Sequence, residues 1–345
     1  MSDFVQFPED VYDRGVAAFA AFNATSDYSR GNALAMMWFA QLAYEVDTSG
    51  ANATAEKIDL IRRRWGFARP VIPIRARLTE LGTTYDTTGV MGEHGKAIML
   101  AFAGTDPAVW RTVATDAGFL LDPATHAHRG FQAAFGAPEV AAGVTAAVEM
   151  SRGSGKPLFI AGHSLGAGLA ILAAQHAVER LNFPPMAVYG FGTPRVGDAR
   201  FRDAYNALPV GGDRRLGAVT YRLVHGRDVV ARVPMFLGYS HVGRVLVCDS
   251  NGKFGERQVS DGLTDDPLFS DAVMAKIQSL LRGGDVFDFF RKLFASGAKT
   301  PQQLIDAFFV NLPPRGHGPL ADWLRLLPPE IRDHLQDRYI EALQP

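Results

Sequence analysis

The sequence predicts an α/β protein, with a mostly parallel central sheet flanked by helices and a C-terminal helical insertion. Two observations carry this. Apolar strand-like runs alternate with helical runs between residues 96 and 248, the pattern of βαβ units whose sheet is covered on both faces. Within that alternation, KPLFIAGHSLGAGLA (156–170) passes from an apolar strand through GHSLG straight into a helix of small residues.

Taken in order, residues 11–22 and 34–44 place apolar side chains at three- and four-residue spacing, which predicts helices with a buried face. The helical run AEKIDLI (55–61) ends in Arg62-Arg63-Arg64, read as a solvated helix end. The run 71–76 is strand-like, and Pro73 places it at an edge. KAIMLAFA (96–103) is a continuous apolar run typical of a central strand. Further strands are expected at 158–161, 187–191, 221–224 and 242–248, with helices at 139–150 and 165–181. From 266 to 343 the pattern is wholly helical, broken by Gly-Gly, Ser-Gly and Pro-Pro pairs. Its most apolar helix, DVFDFFRKLF (285–294), is a stripe packed on the rest of the protein, a cap over a lipid-binding cleft or a membrane-touching surface. With no long linker, residues 1–345 read as one domain, and 266–326 as its insertion.

Composition narrows the function classes. The chain of 345 residues is 47% hydrophobic and 21% charged, as in an ordinary folded protein. A net charge of −1 gives no global field for nucleic acid or an anionic membrane. Cys248 is the single cysteine, so no internal disulfide can form and no cysteine zinc site is expected; neither metal nor cofactor is implied. The first residues lack a basic then apolar leader pattern, and the apolar segment 33–44 is too short to span a bilayer. A cytoplasmic location is therefore expected.

The chemistry centres on GHSLG. Chance alone supplies roughly 0.1 GxSxG matches in a chain this rich in glycine, so the setting matters more than the pattern. Strand before and helix after suit a sharp turn that lifts the Ser164 hydroxyl above the sheet. Gly162 and Gly166 avoid Cβ atoms where strand and helix pack closely, and the helix from Leu165 aims amides at a developing oxyanion. A serine nucleophile needs a base, and the base an orienting acid, in the order Ser, acid, His. Asp228, just after the strand 221–224, is the favoured acid; Asp198 and Asp249 are weaker candidates. His241, His317 and His334 follow Asp228. Position alone does not choose among them, although the sequence pattern favours His334. A second oxyanion donor is expected where the strand 96–103 ends at Gly104, from Thr105.

Five segments in order, AFAGT (101–105), AHRGFQAAF (127–135), GHSLGAGLA (162–170), YGFGTPRVGD (189–198) and HGRDVVARVP (225–234), resemble the lipase class 3 family of α/β hydrolases. That resemblance implies Ser164 as nucleophile, Asp228 as acid, His334 as base, and Thr105 and Leu165 as oxyanion donors. It places a lid over residues 106–127, with Trp110 and Asp116 in it, and Trp110 with His163 as lid or substrate-contacting residues. Ala103 stands where the family usually carries Arg, and His225 where Asn is common. The expected function is ester hydrolysis through an acyl-enzyme, with an acylglycerol or other acyl-ester lipid as substrate and transient contact with a lipid interface. A phospholipase, a short-chain or aromatic esterase, or a non-catalytic binding protein on the same scaffold are the alternatives.

Overall fold

The computed structural model describes residues 6–46, 53–80, 83–104, 121–226, 228, 230–232, 238–248, 252–256 and 333–345. Its centre is an eight-stranded sheet. The strands are β1 (Ile72–Glu80), β2 (Thr83–Glu93), β3 (Ile98–Phe102), β4 (Leu158–His163), β5 (Ala187–Phe191), β6 (Thr220–Val224), β7 (Arg244–Cys248) and β8 (Phe254–Glu256), side by side in chain order. Pairing is parallel from β3 through β7 and antiparallel at both margins. Parallel neighbours need crossovers, and helices supply them: α4 (Arg129–Phe135) and α5 (Pro138–Ser154) before β4, α6 (Leu165–Glu179) before β5, and α7 (Ala199–Ala207) before β6. This is the α/β-hydrolase fold.

The central strands read as unbroken apolar runs because both of their faces are covered. Along β3, Met99 and Ala101 join the core beneath α1 (Val16–Ala21), α2 (Arg30–Leu42) and α3 (Ala53–Arg64). Ile98, Leu100 and Phe102 point the other way, to the core beneath α4, α5 and α6. The same alternation runs along β4, with Phe159 and Ala161 on one side and Leu158 and Ile160 on the other. The terminal helix α8 (Gln336–Leu343) packs against α2, and Arg30 of α2 donates to the carbonyl of Leu343 at 3.0 Å.

Several elements depart from expectation. Residues 9–15 form a tighter 3-10 helix ahead of α1, so the stretch expected as one helix from 11 to 22 is two. β1 is the edge strand that Pro73 implies, but its partner β2 carries no apolar run. Away from the sheet's centre this hairpin faces solvent, and most of its cross-strand pairs there are polar, as in Arg77–Asp86 at 2.6 Å. Arg62 is not at a solvated helix end. It is buried, donating to Asp59 and to the Phe67 carbonyl, while Arg63 is exposed and Arg64 reaches Glu9 and Asp13. The expected helical insertion 266–326, with the candidate His317, lies outside the described residues. Among the described residues, no helix is long and apolar enough to cross a membrane.

Candidate active site

Ser164 sits where β4 ends and α6 begins. Its backbone, at φ 60° and ψ −132°, is one of the few non-glycine positions with positive φ among the described residues. Such a conformation is costly for a residue with a Cβ and persists only where the surroundings enforce it. Here they do: the Ser164 amide donates to the Phe191 carbonyl on β5 at 2.9 Å, and the Ser164 carbonyl accepts from Ala167. The tight turn presses α6 onto β3, so a Cβ on Gly166 would lie 2.4 Å from the Phe102 carbonyl oxygen. The Ser164 side chain does not cap α6. Leu165, as expected, opens the helix, and the first amides of a helix have no partner within it.

Asp228 and His334, 106 residues apart in sequence, meet. Nδ1 of His334 lies 2.9 Å from both Asp228 carboxylate oxygens. Asp228 is fully buried. Its Oδ1 also accepts from the amides of Val230 at 2.8 Å and Ala231 at 3.3 Å, and its Oδ2 accepts from the Tyr339 hydroxyl at 2.5 Å. Burial pushes the Asp228 carboxyl upward. The His334 ring and its hydrogen bond, with the Tyr339 hydroxyl, outweigh that and hold it below the usual carboxylate range. A charged carboxylate only accepts, so Nδ1 of His334 carries the proton and Nε2 presents a lone pair.

Space for this pair comes from Gly192, in FGTPRVG. At φ +60°, it stands so close that a Cβ would lie 2.6 Å from Asp228 Oδ2 and 2.8 Å from the His334 ring. Nothing in the sequence alone gave Gly192 this role. Tyr339, four residues into α8, also takes the His225 amide at 3.1 Å.

The other candidates have different surroundings. Asp198 caps α7 by accepting from Arg200 and Phe201, and lies 3.1 Å from His126 Nδ1. His241 is buried near Arg222 and Arg195, and its ring is pushed well down by burial first and by those charges second. His163, a candidate lid or substrate-contacting residue, is buried. Its Nδ1 lies 2.7 Å from the Tyr44 hydroxyl, its Nε2 2.8 Å from the His334 carbonyl, and its ring stacks on that of His334 with centroids 4.7 Å apart. Thr105, Trp110, Asp116 and Asp249 lie outside the described residues, as does the lid region except for 121–127. Among the described residues no acidic, histidine or cysteine cluster could hold a metal.

The buried histidines imply acid sensitivity. Burial pushes His163 down to about 3 and, aided by Lys96 and Lys156, His94 down to about 4. Both rings are neutral when folded, whereas an unfolded histidine protonates near pH ~6.5. The unfolded state therefore gains protons first as pH falls. Stability is fullest above pH ~6.5 and declines below it, with a limiting slope of about 1.4 kcal/mol per pH unit for each such histidine. Urea midpoints at pH 7 and pH 5 should differ in this direction, and the difference should shrink in His94→Gln. Equal midpoints for the wild type would contradict it.

Fold and turn together define an α/β hydrolase with a serine at its strand-to-helix turn. A sequence model of the lipase (class 3) family matches residues 99–238. Among curated relatives, a secreted mono- and diacylglycerol lipase, LIP4 of Malassezia restricta, is 38% identical over 81 residues, covering 23% of this chain and 25% of that protein. Phospholipase A1-II 1 of Oryza sativa subsp. indica is 39% identical over 93 residues, covering 26% of this chain and 22% of that protein. The match thus spans about a quarter of the length of these relatives. The crystal structure of a lipase from Rhizopus microsporus var. chinensis aligns with TM-score 0.43 and 23% identity, covering 60% of this chain and 74% of that one. The cytoplasmic location expected from the sequence is overturned by the relatives' names: the similar mono- and diacylglycerol lipase is a secreted protein.

Proposed function

We propose that this protein hydrolyses carboxylic esters of acylglycerols through an acyl-enzyme on Ser164. The observation that carries the reading is the buried Asp228 accepting from His334 Nδ1 at 2.9 Å, which leaves Nε2 as a base. Nε2 of His334 takes the Ser164 hydroxyl proton as Oγ attacks the ester carbonyl. The imidazolium then gives that proton to the departing alcohol. Water repeats the sequence on the acyl-serine, losing its proton to Nε2 and releasing the fatty acid and free Ser164. The negative charge on the tetrahedral oxygen is met by the amides of Leu165 and Thr105.

The similarity to a mono- and diacylglycerol lipase and to a phospholipase A1 supports an acyl-ester lipid as substrate. Purified protein should release fatty acid from monoacyl- and diacylglycerols faster than from phosphatidylcholine. The reverse order makes it a phospholipase, and no release from any ester, including short soluble ones, removes the enzymatic reading. The residues from 106 to 127 are proposed as a lid, with Trp110 on it. A rate jump when a soluble ester is replaced by its emulsion tests this, and equal rates on both would count against it.

A further inference from the structure

We infer that Tyr44 and His163 form a positioning relay, tying the backbone of the base to Gly104 at the end of the strand that precedes the proposed oxyanion donor Thr105. This rests on the roles proposed above for Ser164 and His334. A single acceptor fixes every hydrogen-bond direction in the relay. The His334 carbonyl oxygen can only accept, so His163 Nε2, 2.8 Å away, carries the hydrogen. The His163 ring is buried and neutral, so Nδ1 has a lone pair to offer, and the Tyr44 hydroxyl at 2.7 Å must donate to it. Having donated its proton, the Tyr44 oxygen accepts the Gly104 amide at 2.8 Å. The chain therefore runs from the Gly104 amide to the Tyr44 hydroxyl, from there to His163, and from His163 to the carbonyl of His334.

Four separate pieces of the fold meet in this line: the end of β3, the 3-10 turn after α2, the end of β4, and the segment before α8. Gly104, at one end, directly precedes Thr105, His163 in the middle directly precedes Ser164, and the other end is the backbone of the base itself. Gly104 lies so near Ser164 that a Cβ there would come 2.7 Å from the serine Cβ. The Gly104 amide, taken up by Tyr44, is thereby excluded as an oxyanion donor. His334 is held at two points. Asp228 fixes its ring through Nδ1, and His163 fixes its backbone while stacking beneath the ring at 4.7 Å. Removing the relay keeps every reacting side chain but lets His334 drift relative to Ser164, and displacements of about 1 Å cost about 100-fold in rate.

The test uses Tyr44→Phe, His163→Phe and the double variant of the full chain. Active sites are first counted by the p-nitrophenolate burst from a p-nitrophenyl alkylphosphonate, and kcat and KM on p-nitrophenyl butyrate are then expressed per titrated site. Each single variant should lose about 10- to 100-fold in kcat with KM changed by less than about twofold. The double variant should be no slower than the slower single, because both break the same chain. A purely structural role would lower the titrated fraction and leave kcat per site unchanged, and that result overturns the relay, as do losses that multiply. Should His163→Phe fail to fold, Tyr44→Phe together with the ring nitrogen shifts of His163 decides. An Nε2–H tautomer is expected, and an Nδ1–H tautomer overturns the inference. A wild type that neither hydrolyses the ester nor takes up phosphonate refutes the proposed function itself, whereas an active wild type with unaffected variants refutes only the relay.

Discussion

Replacing Ser164 with Ala is expected to lower kcat on a soluble ester by about 10⁴- to 10⁶-fold, the range seen when a serine nucleophile is removed from a triad. The loss should fall on kcat and leave KM nearly unchanged, because the hydroxyl forms its bond only on the way to the transition state. The fold should survive. The Ser164 side chain does not cap α6, and the hydrogen bonds holding the turn come from its own amide and carbonyl, which alanine keeps. Alanine also has a Cβ, so it bears the positive-φ backbone no worse than serine does. Thermal unfolding and kcat, measured on one preparation, separate the two effects. A variant with unchanged unfolding and more than about 1% of wild-type activity would take the nucleophile's role from Ser164.

How much of this was readable from sequence follows from how local each cause is. β3, β4 and β5 were legible because both of their faces are buried, so each is written as an unbroken apolar run. The turn at Ser164 was legible because its requirements are contiguous: strand, small residues, helix. β2 was not, since its register is fixed by pairing with β1 and its outer half faces solvent, leaving Thr, Asp and Gly where apolar residues mark other strands. Asp228 could be placed from its own strand. His334 could be favoured but not fixed, because its partnership with Asp228 spans 106 residues and depends on α8 packing against α2. Gly192, Tyr44 and Tyr339 were missed as site residues for one reason. Each acts by where the fold brings it, and neither a glycine in FGTPRVG nor a tyrosine in a buried helical run announces its neighbour. His163 was named only as a lid or substrate-contacting candidate, and its stacking on His334 and its bond to Tyr44 could not be read from its place beside the serine.

The second large effect is expected at Asp228→Asn. The change is nearly isosteric, and the fold offers the new amide oxygen the same donors from Val230 and Ala231. Its NH₂ must then face donors, whether His334 Nδ1–H or the Tyr339 hydroxyl, both of which the carboxylate accepts. The least costly answer is for His334 to switch tautomer, moving its hydrogen to Nε2 and taking the lone pair away from Ser164. A loss of about 10⁴-fold in kcat is expected from that switch, with KM little changed. The pH behaviour distinguishes the charge from the shape. In the wild type the Asp228 carboxyl is held below the usual range, so its contribution to stability is present above pH ~4 and lost only as pH falls through its lowered folded value. Asn cannot titrate, so the variant should lack that acid-side loss while remaining inactive across the neutral range. Guanidinium midpoints from pH 7 down to pH 3, alongside kcat at pH 7 and 8, read both predictions. A variant within about tenfold of wild-type kcat would place the orienting acid elsewhere, and an unchanged acid profile of stability would mean that the buried carboxylate is not the group whose protonation loosens the site.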